Sequence, residues 1–318
     1  MQPPLLAVEY SYLNIMMDKP IDIDRSLRSA LILSRDIRIK RTNTDWFVHF
    51  RADAPANYGL LLSDDAFRLL TQFGAGARAK LSNKSNEQTV QCEILRRLIE
   101  PGMLLSTGYA LNGRKIRLTL EEIMQLRDTI NVDDLGLLEL ECLILYLLAR
   151  ENNFKEPICE LGSMFGGSTI ALALGTLKSK NKNRVLAVDD HEWHQHIAAG
   201  SFPPELARTI PTSLPRFKKN LKKAKLSRQV KVLVQDTVQA ADKYKSKISM
   251  LFIDADHSYD GIVGDFHAWF PKLVKGGIVA FHDYGNSNWP DVKPAVDELQ
   301  QNFSTFTCYQ TLAVATKA

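Results

Sequence analysis

Residues Glu156 to Thr169 read EPICELGSMFGGST. The apolar run Pro157 to Leu161 predicts a strand that carries Glu160 and leads into Gly162. Beyond Gly166 and Gly167, Ser168 and Thr169 open a helix predicted over Ile170 to Leu177. Glycine lets a backbone turn tightly and approach a ligand closely. The first turn of a helix offers free N–H groups and the positive end of its dipole. A Gly-rich strand-to-helix turn of this kind suits a nucleotide-type cofactor. The spacing is E-x-G-x-x-x-G rather than G-x-G-x-x-G. Ser163, Met164 and Phe165 fill the space that a pyrophosphate needs, and no P-loop lysine follows.

Working outward, the segments that follow alternate between strand and helix as far as Asp297. Apolar strands in such alternation predict a parallel, doubly wound sheet. RVLAVDD is a strand from Arg184 to Val188 that ends at Asp189, with Asp190 beside it. A carboxylate there suits a ribose diol; Asp189 is favoured because it directly follows the apolar run. KVLVQDT, a strand over Lys231 to Gln235, ends at Asp236 and Thr237, placed to meet an adenine edge. Asp236 also reads simply as a strand terminator. SMLFIDADHSY ends at Asp254, and GGIVAFHDY ends at His282 and Asp283. Ligands of open α/β sheets bind beyond the carboxyl ends of the strands, so these polar tips are one candidate site.

ELGSMFGGST, VLAVDD and LFIDADHSYDGIVGDFHAWFPKLVKGGIVAFHDY, in that order and spacing, resemble the class I S-adenosylmethionine-dependent methyltransferases. More narrowly, they resemble the metal-dependent O-methyltransferase branch that includes macrocin-type sugar methyltransferases and cephalosporin hydroxylase-like proteins. The resemblance covers roughly residues 136 to 300. It implies an α/β fold, a doubly wound Rossmann-like sheet. It places the cofactor on Glu160, Gly162, Ser163, Gly166, Ser168, Thr169, Asp189, Asp190, Asp236 and Thr237. The same resemblance implies a divalent metal held by Asp254, His282 and Asp283, with His257 as the base. Catalysis then falls to His257 and Asp254. Hard oxygen ligands suit magnesium. An imidazole at His282 departs from the branch's usual acidic or amide residue, which favours manganese or iron or leaves His282 orienting Asp283 without binding the ion. A metal-free enzyme with His257 alone as base is the competing reading.

The implied reaction is methylation of a hydroxyl on a natural product: a sugar, a polyketide or a ribosomal peptide. Methyl transfer from a sulfonium needs position and a deprotonated acceptor, which a metal and a base supply. Three other readings stay open: a metal-free N-methyltransferase, a hydroxylase-like metal enzyme, and a peptide-recruiting protein with a degenerate methyltransferase fold.

The rest of the chain bounds these expectations. Its 318 residues favour two domains. We divide it into an N-terminal α+β domain over 1–110, a linker helix over 111–135 and the cofactor domain over 136–318. A net charge of +4 is too small to argue for nucleic acid. The four cysteines, Cys92, Cys142, Cys159 and Cys308, are scattered in apolar surroundings and read as buried thiols of a reducing compartment. The N-terminus lacks the pattern of a signal peptide, and no apolar run reaches membrane length, so a cytoplasmic protein away from membranes is expected.

LILSRDIRIKR and DWFVHFR alternate as strands around the turn TNTD, GLLL follows as a short strand, AFRLLTQF and residues 88 to 99 read as helices, and MLLST as a closing strand. That order suggests a winged-helix-like module, for dimerisation into a homodimer or for binding a leader peptide along the edge strand near Asp36 to Arg41. Thr119 and Glu122 form a capping box, and a strongly apolar helix is predicted over Leu135 to Leu148, packed between sheet and N-terminal domain. HEWHQH (His191, Trp193, His194, His196) lines the adenine or substrate side, and GSFPPELARTIPTSLP reads as a lid. The basic run Arg216 to Arg228 reads as a solvated face, and Asp265 and His267 as surface residues.

Overall fold

The computed structural model describes residues 116–130, 136–192 and 212–318 in full, and short backbone strands between 7 and 117. The chain divides into two compact units. One comprises Met1–Gln125, Leu138–Glu141 and Cys308–Gln310; the other comprises Leu126–Leu137, Cys142–Thr307 and Thr311–Ala318.

The first unit carries antiparallel strands. β1 (Ala7–Val8), β3 (Ile37–Arg41), β4 (Trp46–Phe50) and β5 (Gly59–Leu62) form a sheet in the order β1-β5-β4-β3. β3 stands at its edge, where the sequence reading placed an edge strand. β2 (Ala30–Leu33), β6 (Ala77–Arg78) and β7 (Leu104–Ser106) form a second sheet, β6-β2-β7. LILSRDIRIKR is therefore not one strand: the polar Ser34-Arg35-Asp36 separates β2 from β3, and the two join different sheets. β8 (Gly108–Leu111) and β9 (Arg114–Arg117) pair antiparallel, with Leu111 opposite Arg114. The sequence reading took Arg114 to Arg117 for linker, although Asn-Gly between short runs is a strong hairpin signal. α1 (Leu120–Thr129) begins on the expected capping box. The Thr119 N–H donates to Glu122 Oε2 at 2.8 Å, and the Glu122 N–H donates to Thr119 Oγ1 at 3.1 Å. The two helices on which the winged-helix reading rests, over 66–73 and 88–99, lie outside the described residues.

The second unit is an α/β sandwich around a seven-stranded sheet. α2 (Glu139–Arg150) begins later than expected, because the Glu141 carboxylate accepts from the Leu138 N–H at 2.8 Å and marks the start. After β10 (Ile158–Leu161) come α3 (Gly167–Lys178), β11 (Val185–Asp189), α4 (Leu214–Lys223) and β12 (Val230–Val234). α5 (Thr237–Lys243), β13 (Ile248–Ile253), α6 (Tyr259–Trp269), β14 (Leu273–Phe281) and α7 (Val292–Leu299) follow. β15 (Phe303–Tyr309) and β16 (Leu312–Lys317) end the chain.

The strand order is β12-β11-β10-β13-β14-β16-β15. β10 pairs in parallel with both β11 and β13, so the chain winds outward in one direction, returns to the middle and winds out in the other. The crevice at that reversal is where open α/β sheets hold ligands. β10 and β13 are buried along their whole length, as strands covered on both faces must be. β16 slots in antiparallel beside β14, an addition that the strand-helix alternation ending at Asp297 does not reveal. α3 packs closely on α2 through Gly175, where a Cβ would stand 2.4 Å from the Tyr146 carbonyl oxygen. Among the described residues no helix is long and apolar enough to cross a membrane. Cys142 and Cys159 are buried, but Cys308 is only partly so; Cys92 lies outside the described residues.

Candidate active site

The strand tips are laddered together. The Gly162 N–H donates to the Val188 carbonyl at 2.9 Å, the Asp254 N–H to Leu161 at 2.9 Å, and the His282 N–H to Ile253 at 3.1 Å. Glu160, Asp189, Asp254, His282 and Asp283 thus share the carboxyl end of one sheet. Gly162 has φ of 79°, and a Cβ there would lie 2.1 Å from the Asp254 carbonyl oxygen. Only glycine lets the turn lie against the tip of β13. Met164, His191 and Asp283 also take left-handed backbone, at φ of 45°, 60° and 58°.

The Gly-rich turn is organised by carboxylates. Asp189 Oδ2 accepts the N–H groups of Ser163 at 2.7 Å and Met164 at 2.8 Å, and Oδ1 accepts that of His191 at 2.6 Å. The carboxylate expected to meet a ribose thus also braces the turn itself. Asp190 lies next to it and accepts from the Glu192 N–H at 2.9 Å. Gly166 packs on the Phe217 ring, where a Cβ would come within 3.0 Å, and Phe217 packs on His191 with ring centroids 5.1 Å apart. His191 is buried, and its Nδ1 meets Ser213 Oγ at 2.7 Å. Burial holds its pKa below the ordinary value. His194 and His196, and most of the expected lid, lie outside the described residues.

Glu160 is fully buried beneath this turn. Thr169 donates its hydroxyl to Oε2 at 2.5 Å, whereas Oε1 has no hydrogen-bond partner. Ser168 and Thr169 are in the first turn of α3, which begins at Gly167 rather than Ile170: the Ile170 N–H already donates to the Gly166 carbonyl at 2.9 Å, with Gly166 as the cap. Burial pushes the Glu160 carboxyl up to about 8, against the pull of the Ser168 and Thr169 hydroxyls. A buried, unpartnered carboxylate oxygen under a Gly-rich turn is fitted to a cationic group of a ligand, such as the ammonium of a methionine.

Asp236 caps α5, accepting from the Gln239 N–H at 2.9 Å, so it does terminate its strand. Thr237 donates its hydroxyl to Asp265. Asp265 is not a surface residue: it is buried on α6, and burial raises its pKa to about 7. The period of α6 turns it inward beside Phe266 and Trp269, a signal that the polar letter concealed.

Asp254, His257, His282 and Asp283 form the second half of the site. One donor atom from each lies within 4.8 Å of the others. His282 Nδ1 is 3.1 Å from Asp254 Oδ1 and 3.2 Å from Asp283 Oδ2. His257 Nε2 is 2.9 Å from Asp283 Oδ2 and 3.5 Å from Asp254 Oδ1. Burial disfavours a charged His257, but the two carboxylates outweigh it and raise its pKa to about 9. Burial likewise opposes ionisation of Asp283, and His282 and His257 reverse that and hold it well below the ordinary carboxylate range. The imidazoles serve as counter-charge to two carboxylates. Two nitrogen and two oxygen donors of this charge fit a divalent cation, and the nitrogens favour a transition metal over magnesium.

Two residues beside the cluster carry no motif signal. Asn286 donates to Asp283 Oδ1 at 2.6 Å, and Trp289 stacks on His257 with centroids 4.2 Å apart and an interplanar angle of 18°.

Residues 159–284 match a sequence family described as a methyltransferase domain. An uncharacterised protein of Acanthamoeba polyphaga mimivirus is 39% identical over 59 residues, 18% of this chain and 27% of that protein. An uncharacterised protein of Sinorhizobium fredii is 25% identical over 126 residues, 40% of this chain and 13% of that protein. The chain thus spans well under a third of the length of either relative. Among solved structures, the O-methyltransferase TomG of Streptomyces achromogenes, involved in tomaymycin synthesis and solved in complex with SAM, aligns at 16% identity. The alignment covers 63% of this chain and 89% of that one, with a TM-score of 0.42. An O-methyltransferase from Bacillus cereus, in complex with SAH, aligns at 19% identity over 62% of this chain and 90% of that one, with a TM-score of 0.40. The residues that match the methyltransferase-domain family, 159–284, contain the polar strand tips described above.

Proposed function

We propose that this chain is an S-adenosylmethionine-dependent O-methyltransferase assisted by a divalent cation. One observation carries the reading. Asp254 belongs to both halves of the site: its backbone abuts Gly162, and its carboxylate joins His257, His282 and Asp283. A donor on the Gly-rich turn and an acceptor at the cluster would therefore be neighbours.

In this reading Glu160 faces the methionine end, Gly162, Ser163, Gly166, Ser168 and Thr169 shape the turn, and Asp189 and Asp190 meet the ribose. Asp236 and Thr237 form the adenine side. The cofactor supplies a methyl group on a sulfonium, a good leaving group. Asp254, His282 and Asp283 would hold the cation, which when bound would supply positive charge that eases loss of the acceptor's hydroxyl proton. A bound cation would take over the counter-charge to the carboxylates and leave His257 neutral, so that its Nε2 could take that proton. The imidazole of His282 among the ligands makes manganese or iron the alternative to magnesium and keeps a hydroxylase-like reading as the second candidate. The acceptor is a natural-product hydroxyl on a sugar, polyketide or peptide. The N-terminal unit recruits it or pairs two copies, in the cytoplasm.

Isothermal titration of the full chain with S-adenosylhomocysteine, with and without Mn²⁺, tests this. Micromolar binding is expected. The His257→Ala variant should bind equally well yet turn over at least ~10²-fold more slowly on any acceptor found. Absence of binding would overturn the reading; full turnover in a strong chelator would remove the cation from it.

A further inference from the structure

We propose that Trp289 is the residue that positions His257, holding its imidazole by face-to-face contact so that Nε2 stays turned toward Asp254 and Asp283. The inference rests on the proposed role of His257 as base. A working histidine is normally oriented by a hydrogen bond at its second ring nitrogen. His257 has no such bond among the described residues. Even Nε2, 2.9 Å from Asp283 Oδ2, makes no aligned hydrogen bond and is buried without one. An ion contact without direction does not fix the tilt of a ring. What fixes it is the indole of Trp289, 4.2 Å away and inclined by only 18°.

The backbone that carries the indole is itself held. The Trp289 N–H donates to the Asn286 carbonyl at 3.0 Å, and its own carbonyl accepts from the Val292 N–H at the start of α7 at 3.2 Å. The Asn286 side chain accepts from the Asn288 N–H at 3.0 Å and donates to Asp283 Oδ1 at 2.6 Å. The segment between β14 and α7 therefore grips Asp283 with Asn286 and His257 with Trp289. It sets the two groups against each other. A flat aromatic face orients a second ring in a way that an aliphatic side chain of similar bulk does not.

The test uses the full chain with Trp289→Phe and Trp289→Leu, without added metal. Reaction of His257 with diethylpyrocarbonate is followed by peptide mapping, and S-adenosylhomocysteine affinity by calorimetry. His257 should react slowly in the wild type and in Trp289→Phe, and at least tenfold faster in Trp289→Leu, where the ring is free to swing outward. Homocysteine-cofactor affinity should be the same in all three. Equal reactivity of His257 in all three proteins overturns the proposal and leaves the methyltransferase reading standing. Loss of rescue by phenylalanine also overturns it, since bulk rather than ring contact would then be at work. A wild type that does not bind the cofactor product overturns the underlying reading instead. Should the leucine variant not fold, the ring-current shift of the His257 imidazole protons in the wild type decides: no upfield displacement means no stacking in solution, and the proposal falls.

Discussion

Replacing Glu160 with glutamine removes one buried titration while keeping an oxygen to accept from Thr169. The folded carboxyl keeps its proton to about pH 8, whereas the ordinary value is 4.5. A raised carboxyl pKa stabilises the fold fully below pH 4.5, and that contribution is lost as pH rises through about 8. Each pH unit within the window costs up to ~1.4 kcal/mol, so the whole window is worth at most ~5 kcal/mol. Relaxation of a real interior brings this to ~2–3 kcal/mol. In a unit of this size that is roughly 5–10 °C in melting temperature. The assay is thermal unfolding of wild type and Glu160→Gln from pH 5 to 9, read as the difference between them, since other groups titrate too. Wild type should lose stability relative to the variant as pH rises. With S-adenosylhomocysteine present, its ammonium should restore the ionised form, and wild-type affinity should strengthen by up to ~10-fold per pH unit between 6 and 8. A difference that stays constant across the window would refute the reasoning about this carboxylate.

Other perturbations follow from the same geometry. Gly162→Ala combines a φ of 79° with a contact of 2.1 Å to the Asp254 carbonyl, so a loss of ~3 kcal/mol is expected, together with weaker Mn²⁺ binding; an unchanged melting curve would contradict it. Asp283→Asn should weaken Mn²⁺ binding at least ~10-fold by calorimetry, and equal affinity would exclude Asp283 as a ligand. Asp265→Asn, which removes a carboxyl raised by burial to about 7, should gain stability relative to wild type by ~2 kcal/mol as pH rises from 4 to 8; parallel pH profiles would refute it.

The parallel sheet was legible because its central strands β10, β11 and β13 are buried on both faces, and such strands read as continuous apolar runs: ICEL, VLAV and SMLFI stand out against their polar tips. The glycines at 162 and 166 were legible for the same local reason, since a tight strand-to-helix turn needs them. Asp265 was not, because its inward direction depends on what α6 packs against. Nor was the split of LILSRDIRIKR, since alternation marks strands without saying which partner each will find. The pairing of β8 with β9 has a readable local signal in the Asn-Gly between them.

The order of strand tips along the chain, and the residue types on them, were thus settled by sequence alone, because local apolar pattern and turn chemistry dictate both. Folding decided which tips meet. Asp254 joins the turn to the cluster because β13 returns to pair beside β10, almost a hundred residues later in the chain. Trp289 meets His257 because the segment after β14 is tied back by Asn286. Those pairings link residues distant in the chain, and their energies come from packing and hydrogen bonds that no short stretch contains.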